Sequence, residues 1–503
     1  MKKKSVLFLI MGCFILLPVV FLSATQFQPM FNPVLLEPSE SIEELTQEIY
    51  DKSDSLLRTY GVPGLAIAFI SNNNTDVFLG GKANYWRSSP LTSDNYFQLA
   101  SVSKTQCAFA IMKLVEEGLV DIDVPVETYL TRWSLPENGF NNSEVTIRRI
   151  LCHAAGLSVS GVPGVVKLKN LPTIEEALTE SGVKVIAEPG TTYIYSGGGY
   201  GILQLVIEEV TGTTYDDYLY SEILQPLGLN NTYTQWMESF NDDIAIGHGK
   251  FYFPSVRSYT PFQAAAAHYS NILDFTKWCE SFIYGQSVLN ASLVDLMLTP
   301  QFGTTWGYSL GFEWKKLSNG ISTLGHNGDN WGYHSSFRFS RSTGDGIVIL
   351  TNGDRGALLR DHLVSEWEKI IGEESGSSAV LESPRRFTTI TIVVSVIAII
   401  LIIALVLGSK YKILEFDYPD YNIKDSTRKK RILSLLRIIS TMFVTFGFAF
   451  LVILLGCTYG NYTYAPTYFI WIDNLILALT AWCIPASQFI KWNKPSISKK
   501  LQK

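Results

Sequence analysis

Ala100-Ser101-Val102-Ser103-Lys104-Thr105 opens a segment with apolar Ala108, Ile111, Met112 and Val115, and Glu116-Glu117-Gly118 closes it. That is the pattern of a helix with a glycine stop. Ser101 and Lys104 stand three apart, so on a helix they share one face at neighbouring heights. A serine at a helix start has backbone N–H groups and the positive dipole end beside it. A lysine one turn on can take up its proton, provided desolvation lowers the amine pKa. The spacing alone is unspecific, because any serine cap followed by a lysine matches it.

Two further stretches bear on the same chemistry. Thr192-Tyr193-Ile194-Tyr195-Ser196-Gly197-Gly198-Gly199-Tyr200 reads as a glycine-rich turn entering a helix that Gly212 stops. A tyrosine just before such a turn can point into a cleft, although taken alone the stretch fits a buried structural tyrosine better. Gly325-His326-Asn327-Gly328-Asp329 follows an apolar strand. A strand edge carrying a titratable side chain and a glycine can lay backbone N–H groups beside a substrate carbonyl.

Around these stretches, 39–60 reads as a helix that Ser41 caps, with Glu44 placed for a capping box. Strands are expected at 64–70, 76–80, 306–314, 321–324, 335–340 and 346–351, with Ser318-Asn319-Gly320 as a tight hairpin. The middle of the chain reads helical. Strands at both ends around a helical insertion imply an α+β fold, an antiparallel sheet with a helical subdomain.

Taken in order, Ser-x-x-Lys, the Tyr195 stretch and His-x-Gly resemble the serine β-lactamase and penicillin-binding protein superfamily, most nearly its class C β-lactamase-related hydrolases. Phe97-Gln98-Leu99-Ala100, Leu151-Cys152-His153-Ala154-Ala155-Gly156-Leu157 and Ile347-Val348-Ile349-Leu350-Thr351-Asn352 are also similar to that family, over about 45–371. The resemblance implies a β-lactamase/transpeptidase-like sheet flanked by helices, with the site in the groove beside the helical subdomain. It implies Ser101 as nucleophile, with Lys104 and Tyr195 sharing the general-base work. The N–H groups of Ser101 and Asp329 would form the oxyanion hole, with Gly197 and Gly328 lining the substrate site. His326 stands where the family's third motif carries a lysine. No metal or organic cofactor is implied.

Two departures stand out. The family's middle motif reads Tyr-x-Asn, and here it is Tyr195-Ser196-Gly197, which removes an amide that would recognise an acylamido group. The segment 264–268 lacks a Gly-Gly turn common among relatives. His153 is expected to be a structural hydrogen-bonding residue, and His334 is a candidate to line the groove.

Composition sets the wider frame. The chain has 503 residues, 47% hydrophobic and 17% charged, which excludes disorder, collagen and coiled coil as global classes. The apolar excess is concentrated. Residues 1–24 place Lys2, Lys3 and Lys4 before an apolar run, as in a signal peptide or signal anchor. Residues 387–408, 438–458 and 468–490 each reach bilayer-spanning length, after a polar linker at 373–386. They define a membrane region over 387–503, beyond a catalytic domain at 38–372. Lys/Arg-rich segments lie between the first two stretches and after the third. The positive-inside rule then puts those segments and the C-terminus in the cytoplasm and the main domain outside. Residues 26–386 carry 24 Lys+Arg against 41 Asp+Glu, a net of −17, which excludes nucleic acid as a partner. The main domain's Cys107, Cys152 and Cys279 are scattered, so they read as buried thiols rather than disulfides or metal ligands.

The expectation is a membrane-anchored serine hydrolase acting by acyl transfer on a small-molecule or peptide ester or amide. A D-alanyl carboxypeptidase or β-lactamase is the enzymatic alternative. A non-catalytic sensor signalling through the membrane helices is the alternative from another class.

Overall fold

The computed structural model describes residues 36–373, apart from 38, 163, 165–170, 242, 250–251 and 304–305, together with two short strands, Leu414–Phe416 and Ile490–Trp492. The chain divides into two compact units, Met1–Leu381 and Glu382–Lys503. In the second unit the two short strands pair antiparallel. The leader at 1–24 and the expected spans lie outside the described residues, except Ile490, which begins a strand. Among the described residues no helix is long and apolar enough to cross a membrane.

The first unit is built on a nine-stranded antiparallel sheet. Its strands are β1 (Gly64–Ser71), β2 (Asn74–Asn84), β3 (Ser89–Pro90), β7 (Phe302–Gly303), β8 (Trp306–Tyr308), β9 (Glu313–Lys316), β10 (Ser322–Asn330), β11 (Tyr333–Ser340) and β12 (Asp345–Thr351). Their spatial order is β3-β2-β1-β12-β11-β10-β9-β8-β7. A small second sheet holds β4 (Phe97–Gln98), β5 (Thr232–Tyr233) and β6 (Tyr269–Ser270). The helices are α1 (Ile42–Tyr60), α2 (Ser103–Glu116), α3 (Ile147–Leu151), α4 (Ile174–Glu180), α5 (Gly197–Thr211), α6 (Tyr215–Leu219), α7 (Gln263–Ala266), α8 (Ile272–Ile283), α9 (Ala291–Leu298) and α10 (Gly356–Ile371).

The first strand shows why the sheet sits at the centre. From Gly64 to Ile70 every residue is buried, the pattern of a strand covered on both faces. Leu65, Ile67 and Phe69 join the cluster that α1 and α10 cover. Ala66, Ala68 and Ile70 join the larger cluster beneath α2, α5 and α8. Strand β12 obeys the same parity, with Ile347 and Ile349 on the first side and Val348 and Leu350 on the other. Each such side chain contributes about 1.5–3 kcal/mol on burial, so the register of β1 against β12 is strongly fixed.

The sequence reading needs three corrections. The expected strand 306–314 is two strands, because Ser309, Leu310 and Gly311 turn inward, with Gly311 at φ 89° and packed on Ala108 and the Lys104 backbone. The glycines at 197–199 form the first turn of α5 instead of a turn preceding it, with Ser196 as N-cap. Ser41 caps α1 as expected, but Glu44 bonds to the Glu40 N–H, so no capping box closes. The remaining strands run longer than read, and β10 extends through Asn330.

Candidate active site

Ser101 lies in a 3-10 turn, Ala100–Val102, that runs directly into α2. The backbone before it is tied on several sides. Leu99 N–H donates to the His268 carbonyl at 2.7 Å, and the Leu99 carbonyl accepts from Ser335 Oγ at 2.8 Å. Ser103 Oγ donates to the Ala100 carbonyl at 2.6 Å. Ala100 is held at φ 49°, a left-handed conformation that costs a residue with a Cβ about 1–3 kcal/mol and persists only under such constraint.

Lys104 is 2% exposed, and its Nζ lies 3.2 Å from Ser101 Oγ and 2.7 Å from the Ala265 carbonyl. The amine also sits over the rings of Tyr195, at 5.0 Å, and Tyr200, at 5.5 Å. Burial pulls its pKa down from 10.5 to about 7, against the opposing influence of Cys107 and Glu313. Near neutrality the amine is therefore partly uncharged and can accept the Ser101 proton. The segment 264–268, whose departure from the family had no explanation in sequence, supplies the carbonyl that orients this amine.

Tyr195 is clasped by His153. The residue before it donates from Ile194 N–H to the His153 carbonyl at 2.8 Å, and the residue after it donates from Ser196 N–H to His153 Nδ1 at 3.1 Å. The two rings lie 4.2 Å apart. Because Nδ1 accepts, Nε2 carries the proton, and that buried N–H has no hydrogen-bond partner among the described residues. Burial holds His153 well below its usual pKa, so the ring is neutral. Its expected structural role is the one observed.

His326 lies on β10, 1% exposed, and both ring nitrogens are used internally. Nδ1 donates to the Asn327 carbonyl at 2.5 Å, which fixes the tautomer, and Nε2 then accepts from Tyr308 O–H at 2.5 Å. Burial lowers its pKa to about 4, so it carries no charge at pH 7. Tyr308 was not picked out from the sequence. It sits in a short strand among other aromatics, with nothing local to mark it.

Gly328 explains how the third stretch reaches the nucleophile. A Cβ there would come within 2.0 Å of the Leu99 carbonyl and 2.3 Å of Ser335 Oγ, so only glycine lets β10 lie against the turn that carries Ser101. Asp329 follows, bonded to His334 Nδ1 at 2.6 Å and to Arg360 Nη1 at 2.7 Å. Burial raises its pKa, but Arg360 and His334 overcome that and hold it well below the carboxylate range. His334 thus supports Asp329 from β11.

Ser101, Lys104, Tyr195, His326, Gly328 and Asp329 therefore converge, on the ends of α2, α5 and β10. Gly197 does not join them. It is buried, its N–H donates to the Ser160 carbonyl at 3.1 Å, and a Cβ would meet Val162 at 2.7 Å. An asparagine would not fit here without displacing that loop. Cys107, Cys152 and Cys279 are free and buried, as expected.

The family model described as Beta-lactamase matches residues 42–365. Penicillin-binding protein 4 of Amycolatopsis lactamdurans is 25% identical over 350 residues, which make up 65% of this chain and 89% of that protein. The octameric penicillin-binding protein homologue from Pyrococcus abyssi superposes with a TM-score of 0.55 at 23% identity, covering 66% of this chain and 78% of that one. A D-stereospecific amidohydrolase from Streptomyces sp. superposes with a TM-score of 0.52 at 23% identity, covering 61% of this chain and 93% of that one. At these identities the two structures speak for the fold.

Proposed function

The chain belongs to the beta-lactamase family, and from that premise we propose that it is a serine hydrolase cleaving esters or amides through an acyl-enzyme on Ser101. One observation carries the reading: a buried amine, Lys104 Nζ, 3.2 Å from Ser101 Oγ, with a pKa brought down to about 7. In the acylation step Ser101 Oγ bonds to the substrate carbonyl carbon and its proton passes to Lys104 Nζ. The carbonyl oxygen becomes an oxyanion facing the Ser101 and Asp329 N–H groups. As the intermediate collapses, the bond to the leaving group breaks, Tyr195 passes its hydroxyl proton to the departing oxygen or nitrogen, and the proton held on Lys104 Nζ replaces it on Tyr195. Water then repeats the sequence on the acyl-enzyme and frees the acid.

Within this reaction class we infer a preference for uncharged substrates. A lysine in the third motif would hold a permanent positive charge suited to the carboxylate of a β-lactam or a peptide C-terminus. His326 is neutral, its one N–H is spent on the Asn327 carbonyl, and its other ring nitrogen accepts from Tyr308. Gly197 removes the amide contact as well. Each lost contact costs about 1–3 kcal/mol, so two cost roughly 30-fold to 10⁴-fold in discrimination. Small acyl esters such as p-nitrophenyl butyrate should be cleaved faster than nitrocefin or a diacetyl-Lys-D-Ala-D-Ala peptide. The same protein treated with a fluorophosphonate should carry the label on Ser101. A label undiminished in Ser101→Ala removes the nucleophile assignment. Efficient nitrocefin turnover without esterase activity restores the β-lactamase reading.

The apolar stretches and the Lys/Arg distribution support placing this domain outside the cell, anchored by the membrane region at 387–503. Protease added to intact cells should then remove the domain and spare a tag at Lys503. Loss of the tag with the membrane intact would refute that arrangement.

A further inference from the structure

With Ser101 read as the nucleophile, the second oxyanion donor is the Asp329 N–H, and residues outside the cleft fix its direction. Neighbouring residues of a strand send their N–H and C=O groups to opposite edges, because the peptide between them is planar and trans. His334, opposite Asp329 in the register, turns its carbonyl toward β12, where Thr351 Oγ1 donates to it at 3.0 Å. Asp329 and His334 are therefore a non-hydrogen-bonded pair, and the Asp329 N–H leaves β10 on the edge away from β11. On that edge the pairing with β9 stops at Gly325, and the Leu99 backbone packs on Gly328.

The Gly328 carbonyl, at the other end of the same peptide, must then point toward β11. There it meets Arg360. This α10 side chain is 4% exposed, and its Nη1 donates to the Gly328 carbonyl at 3.1 Å and, more weakly, to the Ser335 carbonyl at 3.4 Å. The same nitrogen donates to Asp329 Oδ1 at 2.7 Å, and Nε donates to Asp361 at 2.9 Å. Ser335 in turn holds the Leu99 carbonyl next to the nucleophile. One guanidinium thus grips the strand pair that carries one oxyanion donor and braces the turn that carries the other.

We propose that Arg360 is a positioning residue for catalysis. It anchors the Gly328 carbonyl so that the Asp329 N–H faces the oxyanion, and it neutralises a carboxylate that would otherwise lie beside that developing negative charge. A buried arginine that only staples α10 to the sheet would stabilise the fold without affecting turnover, so the two roles separate experimentally.

Full-length R360K and R360M are compared with the parent protein, with competent Ser101 sites counted by fluorophosphonate labelling. For p-nitrophenyl butyrate, kcat per labelled site is expected to fall at least tenfold in R360K and at least a hundredfold in R360M, with KM within threefold. Those factors approach the loss of one oxyanion-hole donor, about 10²–10³ in kcat. The affinity for phenylboronic acid, whose serine adduct is a tetrahedral anion, should fall in parallel with kcat/KM. R360K keeps a buried cation against Asp329 and decides the question if R360M does not fold. Parental kcat per site and parental boronate affinity in R360K, with only a lowered Tm, would overturn the proposal. Absence of label on Ser101 in the parent protein would instead overturn the serine-hydrolase reading on which it rests.

Discussion

The lowered pKa of Lys104 makes a quantitative prediction about rate against pH. Moving a lysine from 10.5 to about 7 takes roughly 5 kcal/mol of differential solvation between its charged and neutral forms. Burial supplies it: the side chain is 2% exposed, and among the described residues its amine meets the Ala265 carbonyl, the Ser101 hydroxyl and the rings of Tyr195 and Tyr200. If the neutral amine is the base, kcat/KM follows its fraction, about constant above pH 8 and falling about tenfold per unit below pH 7. At pH 5 the value should be about a hundredth of the plateau. His326, at about 4, titrates below that window, and burial shifts His153 downward, away from the Lys104 value. Initial rates of p-nitrophenyl butyrate hydrolysis from pH 5 to 9 at constant ionic strength, per labelled Ser101, give the profile. Lys104→Arg, which stays charged, should lose at least a thousandfold across the range. A flat profile down to pH 5, or an active Lys104→Met, would refute the assignment of this amine as the base.

Two further outcomes follow from the same geometry. Gly328→Ala puts a methyl group 2.0 Å from the Leu99 carbonyl, so β10 must back away from the nucleophile turn. Expected are a loss of about 1–3 kcal/mol in urea unfolding and at least a hundredfold fall in kcat/KM. Acid should destabilise the fold early. Burial lowers His268 to about 3 and His326 to about 4, so between pH 7.5 and 5 the unfolded chain binds protons that the native one refuses. Each histidine then withdraws on the order of 2 kcal/mol, present above pH 6.5 and lost as pH falls. Asp216 and Asp274, whose pKa values burial raises, oppose this in part. A Tm unchanged between pH 7.5 and 5 would contradict it.

Local signals made the strands and the nucleophile helix legible in the sequence. A seven-residue apolar run at 64–70, a Ser-capped amphipathic helix and a Gly-marked hairpin are each encoded by neighbours in the chain. The partners of the chemistry are not. Ala265 offers a backbone carbonyl to Lys104 from 161 residues away, and any residue type there has one. Arg360 reaches Gly328 across 32 residues, from a helix that reads as ordinary amphipathic sequence. The split of 306–314 into two strands was hidden for a similar reason, since the turn at Gly311 is set by its packing on Ala108.

These unreadable contacts alter the chemistry that the readable ones suggest. The motif residues alone describe a site with a base, a tyrosine and a titratable third-motif histidine that could have been cationic. In the fold burial keeps the histidine neutral, with Tyr308 donating to its Nε2, and Arg360 cancels the carboxylate beside the oxyanion donor. Lys104 is then the motif amine that titrates near neutral pH, and neither it nor His326 supplies a fixed positive charge to the cleft. Such a site gains little from an anionic substrate. It depends on backbone N–H groups to stabilise negative charge as it develops, and so on the side chains behind the sheet that aim them.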